Sequence, residues 1–130
     1  MAPGQLISIV DDDASLRNSL ANLIRSGGFR TQGFASAEAF LESEDARETA
    51  CLILDVRMPG TSGLDLQRHL LAAESRIPII FITSHADDDA RVRAIQAGAV
   101  DYLYKPCREE ELFGAIEAAL NTTDLGDRNR

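Results

Sequence analysis

Five short runs of strand-forming residues, each followed by a stretch with helical periodicity, organise the chain. The runs are Leu6 to Val10, Arg30 to Phe34, Cys51 to Asp55, Pro78 to Thr83 and Asp101 to Tyr104, and they predict five strands. Cys51-Leu52-Ile53-Leu54 and Ile79-Ile80-Phe81-Ile82 are apolar without alternation, as strands covered by helices on both faces are. Arg30 to Phe34 is more polar, which suits an edge of the sheet. Leu16, Leu20, Leu23 and Ile24 fall at i, i+4, i+7 and i+8, one face of a helix that Gly27-Gly28 would end. Ser36 can cap a short second helix through Phe40 and Leu41. Leu64, Leu70 and Leu71 mark a third, and Val92 with Ile95 a fourth that stops at Gly98. Leu112, Phe113, Ile116 and Leu120 give the apolar stripe of a fifth, with Glu109, Glu110 and Glu111 at its positive dipole end. Strand and helix in repeated alternation predict an α/β fold built on a parallel sheet.

Acidic residues close two of the strands. Asp11-Asp12-Asp13 follows Leu6 to Val10, and Asp55 ends the run Cys51 to Leu54 just before the turn signal Met58-Pro59-Gly60. In an open parallel sheet, ligands bind beyond the carboxyl ends of the strands, so acids delivered from two strands meet in one crevice. Like charges brought together repel, and a hard divalent cation held by oxygen ligands is the simplest compensation. Thr83-Ser84 and Lys105-Pro106 end two further strands and add a hydroxyl and an ammonium to the same rim. Carboxylates for a cation beside donors for an anion form a set that can accept a phosphoryl group on Asp55. Asp13, placed before Ala14-Ser15-Leu16, reads as a helix cap rather than a ligand.

Composition narrows the function classes. At 130 residues the chain is one domain, and its 45% hydrophobic and 26% charged residues are ordinary for a globular unit. No apolar stretch approaches the roughly 20 residues needed to span a bilayer. Met1-Ala2-Pro3-Gly4 carries no basic region before the short run Leu6 to Val10, so no signal peptide is read and a cytoplasmic location is expected. A net charge of -8 argues against direct nucleic-acid binding by this domain. Cys51 and Cys107, without paired spacing, read as free thiols, and neither His69 nor His85 has a neighbour at metal-ligand spacing. The stretch 121–130 is polar and without apolar periodicity, which predicts a domain over 1–120 and a tail or the start of a linker after it.

The ordered set Val10-Asp11-Asp12, Asp55-Val56-Arg57-Met58-Pro59-Gly60 with Gly63, Thr83-Ser84 and Lys105-Pro106 resembles the receiver domain of bacterial two-component response regulators. The resemblance covers about residues 5 to 120. It implies a flavodoxin-like (βα)5 fold, doubly wound, with strand order 2-1-3-4-5. It also implies a role for each motif residue. Asp55 would be the phosphoacceptor for a sensor histidine kinase or phosphotransfer protein. Asp11, Asp12, Asp55 and the backbone carbonyl of Arg57 would hold Mg2+. Lys105 would pair with Asp55 before phosphorylation and with the phosphoryl oxygens after it, Thr83 would hydrogen-bond a phosphoryl oxygen, and Tyr102 would rotate into the space Thr83 leaves. The face of the fourth helix, fifth strand and fifth helix would then engage an output domain or target, or a second copy on phosphorylation. The segments Thr83-Ser84-His85-Ala86-Asp87 and Gly98-Ala99-Val100-Asp101-Tyr102 are similar to receivers joined to helix-turn-helix transcriptional regulators. A cis Lys105–Pro106 peptide is implied as well, and Cys107 stands where the family more often has a bulky apolar residue.

The expected function is therefore a switch rather than a conventional enzyme. Two other classes fit the architecture less well. An Mg2+-dependent aspartyl phosphatase usually needs an acid two residues after its nucleophile, where this chain has Arg57. A flavin carrier would follow its first strand with a phosphate-cradling loop, where Asp11-Asp12-Asp13 would repel phosphate.

Overall fold

In the computed structural model, which describes residues 4–84 and 87–128, strands and helices alternate along the chain. The elements are β1 (Leu6–Val10), α1 (Ala14–Ser26), β2 (Arg30–Phe34), α2 (Ala37–Glu42), a 3-10 turn (Glu44–Glu48), β3 (Thr49–Leu54), α3 (Gly63–Ala72), β4 (Ile79–Thr83), α4 (Asp88–Gln96), β5 (Asp101–Tyr104) and α5 (Glu109–Arg128). All neighbouring strands are parallel, in the order β2-β1-β3-β4-β5. The sheet is parallel, as the pattern predicts, and the chain has the flavodoxin-like doubly wound fold that the resemblance implies.

Alternation along the inner strands divides the core into two layers. Leu52 and Leu54 of β3, with Ile79 and Phe81 of β4, face α2, α3 and α4, where Phe40, Leu66, Leu70, Ala90 and Ala94 close the layer. Cys51 and Ile53 of β3, with Ile80 and Ile82 of β4, face Leu20 and Ile24 of α1 and Leu112, Ile116 and Leu120 of α5. Because helices cover both faces, β1, β3 and β4 carry no polar alternation. β2 is the edge, with Arg30, Gln32 and Gly33 exposed and only Phe34 buried.

Capping sets the helix starts. Asp13, Ser36, Ser62 and Asp87 each accept a hydrogen bond from the backbone N–H three residues on. Asp13 is thus the cap of α1. Gly98, at φ 103°, turns the chain from α4 into β5 through a left-handed conformation that other residues rarely adopt. β3 begins two residues before the apolar run. Thr49 pairs with Leu6 across a register irregularity, and its hydroxyl bonds the buried Ser8 hydroxyl at 2.6 Å. Pro78 lies just outside β4, but its carbonyl still accepts from the N–H of Leu52 at 2.9 Å. The helix α5 continues into the polar stretch as far as Arg128.

Several apolar helix markers face outward, Leu71 of α3 among them at 50% exposure. Val92 and Ile95, the pair that signalled α4, point outward at 46% and 43% exposure, while Ala90 and Ala94 face the sheet. Its inward side chains are thus small, and its large apolar groups lie on the surface.

Gly63 opens α3 directly under the end of β3. A Cβ there would lie 2.1 Å from the backbone oxygen of Asp55, and the atom it meets belongs to the main chain and cannot swing away. Gly63→Ala should therefore destabilise the domain by about 1–3 kcal/mol. Gly114→Ala, in open space on α5, should instead stabilise it by about 0.4–1 kcal/mol. Urea unfolding of the two variants against the parent checks both signs.

Candidate functional site

The strand ladder runs one residue past the strands and sets the site. The N–H of Asp11 donates to the carbonyl of Phe34 at 3.1 Å, and the N–H of Asp55 donates to the carbonyl of Val10 at 3.0 Å. With Val10 and Leu54 in register, Asp11 and Asp55 emerge side by side where β1 and β3 end. This is the point at which the strand order reverses, the usual crevice of open α/β sheets. Asp11, Asp12 and Asp55 each offer a carboxylate oxygen within 4.8 Å of the others. Asp11 is 3% exposed and Asp55 8%, while Asp12 is exposed.

Lys105 is positioned by its backbone, whose N–H donates to the carbonyl of Thr83 at 2.8 Å, beside the cis Lys105–Pro106 peptide. Its ammonium is nearer to Asp11 than the sequence reading expects. Nζ lies 3.0 Å from Asp11 Oδ2 and 3.8 Å from Asp55 Oδ2. It bridges both acids, with the hydrogen bond going to Asp11. Asp55 Oδ1 is buried and has no hydrogen-bond partner among the described residues. Burial pushes the Asp55 carboxyl above its ordinary value, and the Asp11 carboxylate adds to the effect. Lys105 and the backbone N–H groups of Arg57 and Val56 oppose it.

Thr83 ends β4 fully buried. Tyr102 lies inside at 5% exposure, its ring 5.9 Å from Phe81 and edge-on to Tyr104 at 5.6 Å. Its hydroxyl is buried without a hydrogen-bond partner among the described residues, and burial raises its pKa. Cys107 is half-buried, and burial raises its thiol, with Glu111 adding to the effect, so it lacks the lowered pKa of a reactive cysteine. Cys51 is buried in the core with its thiol pushed up to about 12. His85 and Ala86 lie outside the described residues.

Three contacts around the site have no signal in the sequence, because their partners are distant along the chain or have many equivalents in it. Glu38 of α2 accepts from the hydroxyl of Thr61 at 2.6 Å and from its N–H at 3.3 Å, tying α2 to the loop after β3. The guanidinium of Arg57 meets Asp87, the cap of α4, at 3.5 Å, which joins that loop to α4. Arg17 of α1 donates to the backbone carbonyl of Asp11 at 2.6 Å.

A parallel five-stranded sheet with an acid cluster at its switch point and a lysine bridging two of the acids is the arrangement that comparison with known proteins explains. The model of the response regulator receiver domain matches residues 7–117, and the chain belongs to that family. Response regulator protein TmoT of Ectopseudomonas mendocina is 52% identical over 115 residues, which is 88% of this chain and 52% of that protein. Nodulation protein W of Bradyrhizobium diazoefficiens is 50% identical over 114 residues, 88% of this chain and 50% of that protein. Among solved structures, response regulator StyR superposes with a TM-score of 0.88 at 45% identity, over 96% of this chain and 63% of that one. FixJ-N superposes with a TM-score of 0.82 at 39% identity, over 93% of this chain and 96% of that one. The chain spans about half the length of the curated relatives it matches. It is a signalling domain rather than a metabolic enzyme, and among the described residues no helix is long and apolar enough to cross a membrane.

The raised pKa of Asp55 has a definite sign in stability. The folded state holds this proton more tightly than the unfolded chain, so ionising Asp55 opposes folding. The penalty sets in as pH rises past the ordinary carboxylate value of 3.8 and is complete above the raised folded value. In chelator-treated protein, Asp55→Asn should raise Tm by a few degrees at pH 7, and the gain should vanish as pH falls towards 4 and below. Thermal melts across that range test it; an equal gain at pH 3.5 would assign the effect to something other than charge.

Proposed function

We propose that this domain is a phosphorylation switch in which Asp55 accepts a phosphoryl group from a phosphohistidine of a sensor kinase or phosphotransfer protein. The observation that carries the reading is the pairing of a buried carboxylate oxygen without a partner on Asp55 with two further acids and an ammonium at the same crevice. A carboxylate oxygen of Asp55 attacks phosphorus and the P–N bond breaks. The imidazole keeps the electron pair, takes up a proton from water and leaves an aspartyl phosphate on the domain.

Mg2+ fits the donor set, which is all oxygen and carries more negative charge than Lys105 offsets. Asp11, Asp12, Asp55 and the backbone carbonyl of Arg57 are the residues that would hold it. Bound there, it would neutralise the equatorial oxygens of the phosphoryl group in transfer. On the protein side, Lys105 shifts from the two carboxylates to a phosphoryl oxygen, and the Thr83 hydroxyl donates to another. Tyr102, on the neighbouring strand β5 and paired in register with Phe81, follows that movement. Its displacement reaches the surface of α4, β5 and α5, where Val92, Ile95 and Tyr104 are exposed.

The output is a second domain or a separate target, and a transcriptional one is favoured. Relatives such as FixJ of Bradyrhizobium diazoefficiens, 39% identical over 118 residues, bear the name transcriptional regulatory protein. The receiver occupies about 1–120, and the polar stretch 121–130 leads out of it as a tail or linker. The domain acts in the cytoplasm, where kinase and output are found, and does not itself bind nucleic acid, in keeping with its charge of -8.

Incubation with acetyl phosphate and Mg2+ should add one labile phosphoryl group by intact mass, and the adduct should be absent in Asp55→Asn and after EDTA. Thr83→Ala should slow its formation on the order of 10²-fold, the scale of losing one donor to developing charge. Rapid turnover of a phosphomonoester would favour the phosphatase reading, and an unmodified wild type would end the switch reading. Light scattering with beryllofluoride, a phosphoryl mimic, should show a doubled mass; an unchanged mass would remove the homodimer.

A further inference from the structure

Asp11 is held at every polar group it has. Its N–H donates to Phe34 of β2 at 3.1 Å, and Oδ1 accepts the N–H of Asp13 at 2.9 Å. Oδ2 accepts Lys105 at 3.0 Å, and the carbonyl accepts Arg17 at 2.6 Å. The first three follow from the strand ladder, the turn and the rim. The fourth is a long side chain brought to a main-chain carbonyl although three aspartates stand beside it in sequence. Arg17 forms no salt bridge with a carboxylate among the described residues.

The path of that side chain is cleared by a second residue. Arg17 runs from the first turns of α1 across β2 at Gly33. A Cβ on Gly33 would lie 3.1 Å from Arg17 Cδ, 3.2 Å from Cγ and 3.3 Å from Nε. Gly33 is exposed on an edge strand and its φ is not positive, so close approach rather than backbone conformation accounts for a glycine here.

We propose that Arg17, seated over Gly33, is a positioning residue for divalent-cation binding. By fixing the carbonyl of Asp11 it sets the β1–α1 turn, and with it the directions in which Asp11 and Asp12 present their oxygens. The proposal rests on the reading above that this crevice holds Mg2+. Groups that orient a ligand without touching the ion typically contribute about 10–100-fold to metal affinity. Two physical roles for Arg17 predict opposite signs. A guanidinium acting only as a nearby positive charge repels the cation, and its removal tightens binding. A guanidinium that orients the ligands weakens binding when lost.

The experiment is a calorimetric Mg2+ titration of the whole chain in four forms: wild type, Arg17→Met, Arg17→Lys and Gly33→Val. Arg17→Met keeps the stem and removes charge and donors; it should raise the Mg2+ Kd about tenfold. Arg17→Lys restores a donor and should fall between. Gly33→Val leaves Arg17 in the chain but displaces its stem, and should reproduce Arg17→Met. In metal-free protein, the Asp13 amide, which reports on Asp11 Oδ1, should exchange faster in Arg17→Met while core amides remain protected. At saturating Mg2+, phosphorylation by acetyl phosphate should stay within about twofold of wild type, separating affinity from chemistry. Mg2+ uptake by the wild type with equal or tighter binding by Arg17→Met overturns the role of Arg17 and leaves the crevice reading intact. No uptake by the wild type overturns both.

Discussion

Repulsion between Asp11 and Asp55 is the constraint around which the C-terminal edge of the sheet is arranged. The two strands run side by side in matched register, and each ladder extends one residue beyond its strand, so the carboxylates cannot separate without breaking main-chain hydrogen bonds. Both are buried, which strengthens the repulsion and raises the Asp55 carboxyl. Lys105 offsets part of it, lying closer to Asp11 than to Asp55. Asp11 is thereby fixed, while Asp55 keeps an oxygen without a partner among the described residues. In the proposed switch, that asymmetry gives the two acids different work: one supports, the other reacts.

The surroundings divide in the same way between rigid and lightly held parts. The loop after β3 is pinned from below by Gly63, which lies against the Asp55 backbone, and from the side by Glu38. On the other side of the crevice, α4 buries only Ala90 and Ala94. Its beginning is tied to the loop after β3 through the partly exposed Arg57–Asp87 pair, a contact worth little in stability. Near its end, the buried Gln67 of α3 donates to the carbonyl of Ala94 at 3.0 Å. A helix with a small apolar footprint can shift without opening the core. The exposed Val92 and Ile95 on its outer side give such a shift a surface on which to act. In the proposed switch, a charge change at Asp55 is read out through α4, whose buried footprint is two alanines.

Much of the architecture was legible in the chain because the periods of its elements differ. Unalternating apolar strands, helices with a stripe at i and i+4, capping residues Asp13 and Ser36 at two helix starts and glycines at helix ends predict five β–α repeats, and those repeats were found. The acids were legible as a group because each follows directly on a strand, and parallel strands must deliver such residues to one edge. Helix α4 was readable as a helix but not in its facing, since two alanines and two large apolar residues on opposite sides give no sign of which side meets the sheet.

The alternation of strand and helix and the polar residues at the strand ends, by themselves, determined a parallel α/β sheet and the rim at which Asp11, Asp12, Asp55, Thr83 and Lys105 gather, because backbone periodicity and parallel topology are local rules repeated five times. Only the tertiary structure decided how those groups share their partners: that Lys105 bonds Asp11 rather than Asp55, that Glu38 anchors Thr61, and that Arg17 crosses Gly33 to reach the carbonyl of Asp11. These are side-chain choices among several acceptors at similar range, many of them joining residues far apart in sequence. They are fixed by differences in distance, such as 3.0 Å against 3.8 Å at Lys105, that exist only once the strands are in register.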